Sequence, residues 1–386
     1  METKKMAVIV FAAALLVCVA AYALVGSNDK EDESGTIEIE DALGRKVMID
    51  YPVDRLVVEC TGFNTFAAVG GDGFFDKVVG ITGELEQFDK PLWDAYCQRY
   101  PGLADAEVVG ISYQGTFSVE KIISLNPDVV ILSPYLKTLG MLDQSVFDNM
   151  DSAGVKYIFA GFYNDALDEG MYDKTLKTIG KILNQEERAQ QVIDFFNEEV
   201  EKVYSRLPES DNKPTVYYEI LGTPNEVPGS TATYGNPMLI YGGSHNIAED
   251  DSIIKSAGWG YMSLEFLMTK NPDWIVLFAG GFYDINLTKY FGIGSDPTEE
   301  ELAAMAHSYM DRAGWDSLSA VKNGRVHFLQ STLNNSAECF VTLQYAAKWG
   351  YPELFEDLNP LENLERFYEE FSPLGISGNW DYTPEA

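Results

Sequence analysis

One supersecondary pattern occurs twice in this chain. The first copy runs from Phe117 to Leu132 and the second from Met262 to Leu277. Ser118 and Ser263, Glu120 and Glu265, and Pro127 and Pro272 all differ by the same 145 positions (263 − 118). Each copy reads as a serine N-cap, a short helix, an Asn-Pro-Asp turn and a buried strand. Such a duplication predicts two similar lobes, and two facing lobes are a common way to hold a ligand.

With 386 residues the chain has room for two lobes, each with its own core. A net charge of −33 argues against nucleic acid and anionic membrane surfaces as partners and suits a highly soluble surface. At the N-terminus Lys4 and Lys5 precede an uncharged run from Met6 to Val25, followed by an acidic stretch. That arrangement reads as a secretory signal or a membrane anchor, and the length of the run and the lack of a small-x-small cleavage site favour an uncleaved anchor. Cys18 gives a weak lipoprotein signal, because Val17 stands where a small residue is wanted. Cys60, Cys97 and Cys339 are widely spaced without a C-x-x-C pair, so buried thiols are the default, with one disulfide possible.

Residues on either side of Asp41-Ala42-Leu43-Gly44 alternate as in a β-hairpin. Strand candidates follow at Arg55–Cys60, Val78–Ile81, Glu107–Val109, Asp128–Ser133 and Lys156–Ala160, with helices at Asn64–Val69, Ser118–Leu125 and Met141–Ala153. This alternation predicts an α/β fold of parallel sheets flanked by helices. From Tyr172 to Leu207 apolar residues recur at helical spacing, which predicts one long rigid helix of roughly 54 Å, with coiled-coil dimerisation as the alternative. Strand–helix alternation resumes at Pro214 and continues through Arg325–Leu329 to helices near Ser336–Trp349 and Leu361–Phe371. The expected division is an anchor or signal peptide (1–26), an acidic linker (27–35), an N-terminal α/β lobe (36–165), a connecting helix (166–208) and a C-terminal α/β lobe (209–386).

Several motifs occur in a telling order: Asp41-x-x-Gly44-Arg45, Arg55-Leu56-Val57, Val109-Gly110 before the first repeat, and Gly242-Gly243-x-x-Asn246-Ile247-Ala248. Trp315-x-x-Leu318-x-Ala320-Val321-Lys322-Asn323-Gly324-Arg325-Val326 and Ala347-Lys348-Trp349-x-Tyr351-Pro352-Glu353 complete the set. With them the chain resembles substrate-binding proteins of type II ABC importers, the group that captures iron–siderophores, haem or cobalamin. The resemblance implies two Rossmann-like lobes joined by one rigid helix. It also implies that Glu120 and Glu265 dock onto arginines of a permease dimer. On bottom-up grounds a first-turn acid also complements the helix dipole, but two acids at matching positions suit a two-fold partner.

Ligands of doubly wound lobes meet the loops at the carboxyl ends of the strands. Those loops offer Phe63, Asn64, Tyr113, Tyr135, Lys137, Phe162 and Tyr163 in the first lobe, and Tyr234, Phe282 and Tyr283 in the second. Amphipathic rings suit a large planar or macrocyclic ligand, although about half of them are expected to pack the lobe cores. With Lys137 as the one cation in these loops, a corrinoid or neutral hydroxamate siderophore is favoured over an anionic ferric catecholate. Haem is a further candidate, with a tyrosine or histidine as axial ligand. His245, His307 and His327 lack metal-ligand spacing, so no metal site, catalytic residue or cofactor is assigned. No G-x-S-x-G elbow, G-x-G-x-x-G fingerprint or P-loop occurs, which disfavours an enzyme on the same scaffold. A surface adhesion protein would explain the anchor but not the duplication. The expectation is a monomeric extracytoplasmic capture protein, attached through its N-terminal segment or secreted, that binds a metal chelate and delivers it to an ABC importer permease dimer.

Overall fold

The computed structural model describes residues 35–59, 62–161, 171–220, 230–232, 240, 242–257, 259–280 and 285–385. It opens on the expected hairpin, β1 (Thr36–Glu40) against β2 (Lys46–Asp50). The buried carboxylate of Asp41 accepts from the backbone N–H groups of Leu43 and Arg45 at 3.0 and 2.9 Å and from Arg45 Nε at 2.9 Å. Arg45 in turn donates to the Tyr157 carbonyl and lies over the Tyr157 and Phe159 rings. The Asp-x-x-Gly-Arg motif thus fastens the hairpin to the first lobe.

That lobe is a five-stranded parallel sheet of β3 (Leu56–Val58), β4 (Val78–Ile81), β5 (Glu107–Val108), β6 (Val129–Leu132) and β7 (Tyr157–Phe159), in the order β5-β4-β3-β6-β7. Helix α1 (Phe63–Gly70) follows β3, and α2 (Val119–Leu125) precedes β6. After α3 (Met171–Leu183) and α4 (Glu186–Tyr204), the chain builds a second sheet. Its strands are β8 (Thr215–Ile220), β9 (Ser230–Ala232), β10 (His245–Asn246), β11 (Trp259–Tyr261), β12 (Trp274–Ala279), β13 (Val326–Gln330) and β14 (Asp381–Tyr382). β8, β12 and β13 are parallel neighbours, and α5 (Leu264–Lys270) precedes β12 as α2 precedes β6. Helices α6 (Phe340–Gly350) and α7 (Pro360–Phe371) close the chain before β14.

The expected single long helix is two helices. Asn184 adopts a left-handed φ of 57° and the Gln185 N–H closes the turn onto the Gly180 carbonyl at 2.7 Å. The second helix folds back on the first: Tyr172 stacks on Phe196 with centroids 3.5 Å apart, and a Cβ on Gly180 would lie 2.6 Å from that of Ala189. Folding back buries both apolar faces, which a straight rod extending beyond the lobes would leave in water. The pair still joins the lobes. Arg188 on α4 donates from Nε to the Ala68 carbonyl of α1 at 2.7 Å and from Nη2 to the Phe371 carbonyl of α7 at 2.9 Å. Phe195 meets Phe340, Phe367 and Phe371 edge-on, so one continuous core runs from α1 through the connector to α6 and α7. Such a shared core restricts relative movement of the lobes.

Candidate functional site

The two repeat copies fold alike. The Ser118 hydroxyl accepts from the Lys121 N–H and the Ser263 hydroxyl from the Phe266 N–H, both at 3.2 Å. Both helices end on a left-handed asparagine, Asn126 and Asn271, each with φ 44°. The aspartate two residues later pins the neighbouring strand. Asp128 accepts from the Asp54 and Arg55 N–H groups at 2.8 Å, and Asp273 accepts from the Thr215 N–H and hydroxyl at 2.7 and 2.9 Å. This fixes the equivalence of β3–β6 with β8–β12. It also leaves Glu120 and Glu265 exposed in the first turns of α2 and α5.

In the first sheet the strand order reverses between β3 and β6, and crevices at such reversals receive ligands. Glu59 stands at the carboxyl end of β3, 2 % exposed. It accepts from the Ser133 hydroxyl and, at 3.2 Å, from the Tyr135 hydroxyl, both beyond the end of β6. Glu84, beyond β4 and also buried, accepts from the Ser112 N–H at 2.6 Å and from the Ser112 hydroxyl beyond β5. Two serine-held carboxylates therefore sit along the carboxyl edge of this sheet. Lys137 is turned over the Phe147 and Phe159 rings, its Nζ 4.9 and 5.8 Å from their centroids.

The expected cleft residues separate. Tyr135 is at the crevice and half-buried; Lys137 lies close by. Phe63, expected in the cleft, is instead a core residue. It is 2 % exposed with Tyr96 and Phe74 rings at 5.0 and 5.3 Å, because the first turn of α1 packs it among the aromatic rings of the helices Asp72–Phe75 and Lys90–Arg99. Asn64 joins the lobes: its amide donates to Glu338 Oε1 at 2.9 Å and its carbonyl oxygen accepts from the Tyr96 hydroxyl at 2.8 Å. Beside it the Ala337 N–H donates to Thr65 Oγ1 at 3.0 Å, and the Tyr172 hydroxyl donates to the Ala337 carbonyl at 3.1 Å. The segment after β13 thus meets the helix after β3, bringing the carboxyl ends of both sheets together. Burial holds the Glu338 carboxyl above the usual range. Phe162, Tyr163, Tyr234, Phe282, Tyr283 and the side chain of Tyr113 lie outside the described residues, as does Cys60.

Sequence reasoning missed Glu59 and Glu84. The available signal was an acid ending the apolar run Leu56-Val57-Val58 directly before a loop. Among the described residues no three side chains are grouped to hold a metal ion. His327 is buried and pushed down to about 3 by desolvation, stacking on Trp349 at 4.3 Å. His245 pairs with Asp250 at 3.0 Å.

A family model described as "Periplasmic binding protein" matches residues 59–333. The chain belongs to this family. Solved structures extend the likeness over most of the binding protein. The TroA-like periplasmic binding protein FepB from Veillonella parvula is 28 % identical, with a TM-score of 0.78 over 90 % of this chain and 100 % of its own. Two others share the fold at 16 % identity. One is molybdate-bound MolA from Haemophilus influenzae (TM-score 0.65, 88 % of this chain and 99 % of that one). The other is a nickel–histidine complex of CeuE from Helicobacter pylori (TM-score 0.60, 88 % and 96 %). No curated protein sequence matches significantly. Members of the family are solute-binding proteins that work outside the cytoplasm with ABC transporter permeases and bind small molecules. Among the described residues no helix is long and apolar enough to cross a membrane, and the expected N-terminal anchor lies outside them.

Proposed function

We propose that this binding protein captures a metal chelate between its lobes and hands it to an ABC importer permease, docking through Glu120 and Glu265. The observation that carries the reading is the duplicated unit, which leaves one exposed acid in the first turn of an equivalent helix in each lobe. That spacing suits a partner with two-fold symmetry. The favoured ligand is a corrinoid or an iron complex without net negative charge. The carboxyl edge of the first sheet supports this: Glu59 and Glu84 stand there and Lys137 is turned over the Phe147 and Phe159 rings, so its described side chains offer little to pair with an anionic chelate. The continuous core between the lobes supports capture with small closure.

Two measurements test the proposal. In a tryptophan-fluorescence titration of the protein from Thr36 onward, cobalamin, cobinamide or a ferric hydroxamate should quench saturably; selective binding of a ferric catecholate would overturn the assignment of ligand charge. In cells, Glu120→Arg with Glu265→Arg should abolish uptake of the ligand so found while leaving its affinity unchanged; lost affinity would refute the docking role.

A further inference from the structure

Beside each exposed acid, the repeat places an exposed apolar side chain. Ile123 lies three residues after Glu120 and Met268 three after Glu265, again 145 positions apart (268 − 123). Residues at i and i+3 share a helix face, so α2 and α5 each present an acid and an apolar group together. Ile123 is 44 % and Met268 42 % exposed, whereas their neighbours Ile122 and Leu267 are fully buried. A single exposed apolar residue is ordinary; the same pair at matching positions of both lobes is a repeated surface.

The lobes differ in what adjoins that surface. The chain enters α5 through the helix Ser252–Ala257 and β11, which carry Ile253 at 78 % and Tyr261 at 67 % exposure. These exceed every other exposed large apolar side chain among the described residues. The position equivalent to Tyr261 in the first lobe is Thr116 (261 − 145), whose hydroxyl accepts from the Ile111 N–H at 2.9 Å.

We propose that these residues form an asymmetric docking interface for a two-fold membrane permease, resting on the reading of Glu120 and Glu265 above. Each permease half supplies a basic side chain against the glutamate and an apolar one against Ile123 or Met268. Ile253 and Tyr261 add an apolar anchor to the second lobe, where the first has Thr116 at the position matching Tyr261. Charge sets the register and buried apolar area holds the contact, so the second lobe stays seated longer than the first.

The test is photocrosslinking of the full chain in cells that also make its transporter. p-Benzoylphenylalanine is incorporated in place of Ile123, Ile253, Tyr261 or Met268, with exposed Ser124 and Thr269, four residues after the two glutamates, as markers of docking and Met48 as an exposed apolar control on the hairpin. All four test positions should form adducts with one polytopic membrane protein that co-purifies with an ATPase, and the Met48 position should not. Ile253→Asp with Tyr261→Asp should lower the adduct yield at position 268 about tenfold, whereas Thr116→Asp should leave the yield at position 123 within about twofold. Permease adducts at positions 124 and 269 alone would keep the docking reading and refute the apolar interface. No permease adduct from any position would overturn both. Equal sensitivity of the two lobes to the aspartates would refute the asymmetry.

Discussion

Asp89 offers a stability test in which two opposing electrostatic effects can be weighed. It caps the helix Lys90–Arg99, accepting from the Leu92 N–H at 3.3 Å, yet it is only 5 % exposed. Burial pushes its carboxyl up from 3.8 to about 6, against the downward pull of that hydrogen bond. The native state therefore holds this proton more tightly than the unfolded chain. The associated stability is complete below pH 3.8 and is lost as pH rises through about 6. At about 1.4 kcal/mol per pH unit, the difference amounts to about 3 kcal/mol. Asparagine caps a helix as well as aspartate and carries no charge. Asp89→Asn should accordingly match the parent at about pH 4 and exceed it by up to about 3 kcal/mol at about pH 7.5. Urea unfolding of both proteins across that range, followed by tryptophan fluorescence, gives the difference directly and cancels the other carboxylates. Equal stability at about pH 7.5 would refute the desolvation argument. A less stable variant there would mean that attraction to the helix N-terminus outweighs burial.

Arg312 pairs with Glu219 through two contacts of 2.8 Å, with side chains 2 % and 0 % exposed. Arg312→Met should destabilise the protein by about 3–5 kcal/mol in urea unfolding, and adding Glu219→Gln should recover most of that loss; an unaffected single variant would refute the ion pair's role. Burial also pushes both described thiols up, Cys339 far more than half-buried Cys97. Iodoacetamide with peptide mapping should therefore label Cys97 in the native protein and Cys339 only in denaturant. Native labelling of Cys339 would contradict its position in the core.

The repeat carried most of the fold because its chemistry is local. A serine cap, a left-handed asparagine and an aspartate that reaches the neighbouring strand act within a few residues or one strand of their own position. The hairpin at Asp41 and the strand Val78–Ile81 were legible for the same reason. The break at Asn184 was harder. Asn184-Gln185 followed by Glu186-Glu187 is a local stop-and-start signal, but the apolar period continues through it and masks the turn.

The sequence by itself determined two α/β lobes, their helical connection and the matching places of Glu120 and Glu265. Periodicity and capping act over short chain distances and repeat when the sequence repeats. Only the tertiary structure decided that Phe63 turns into the core, that Glu59 and Glu84 sit buried along one sheet edge, and that Asn64 reaches Glu338 across 274 positions of chain. Such outcomes depend on which distant surfaces meet, and desolvation and hydrogen bonding between them have no local signature in the chain.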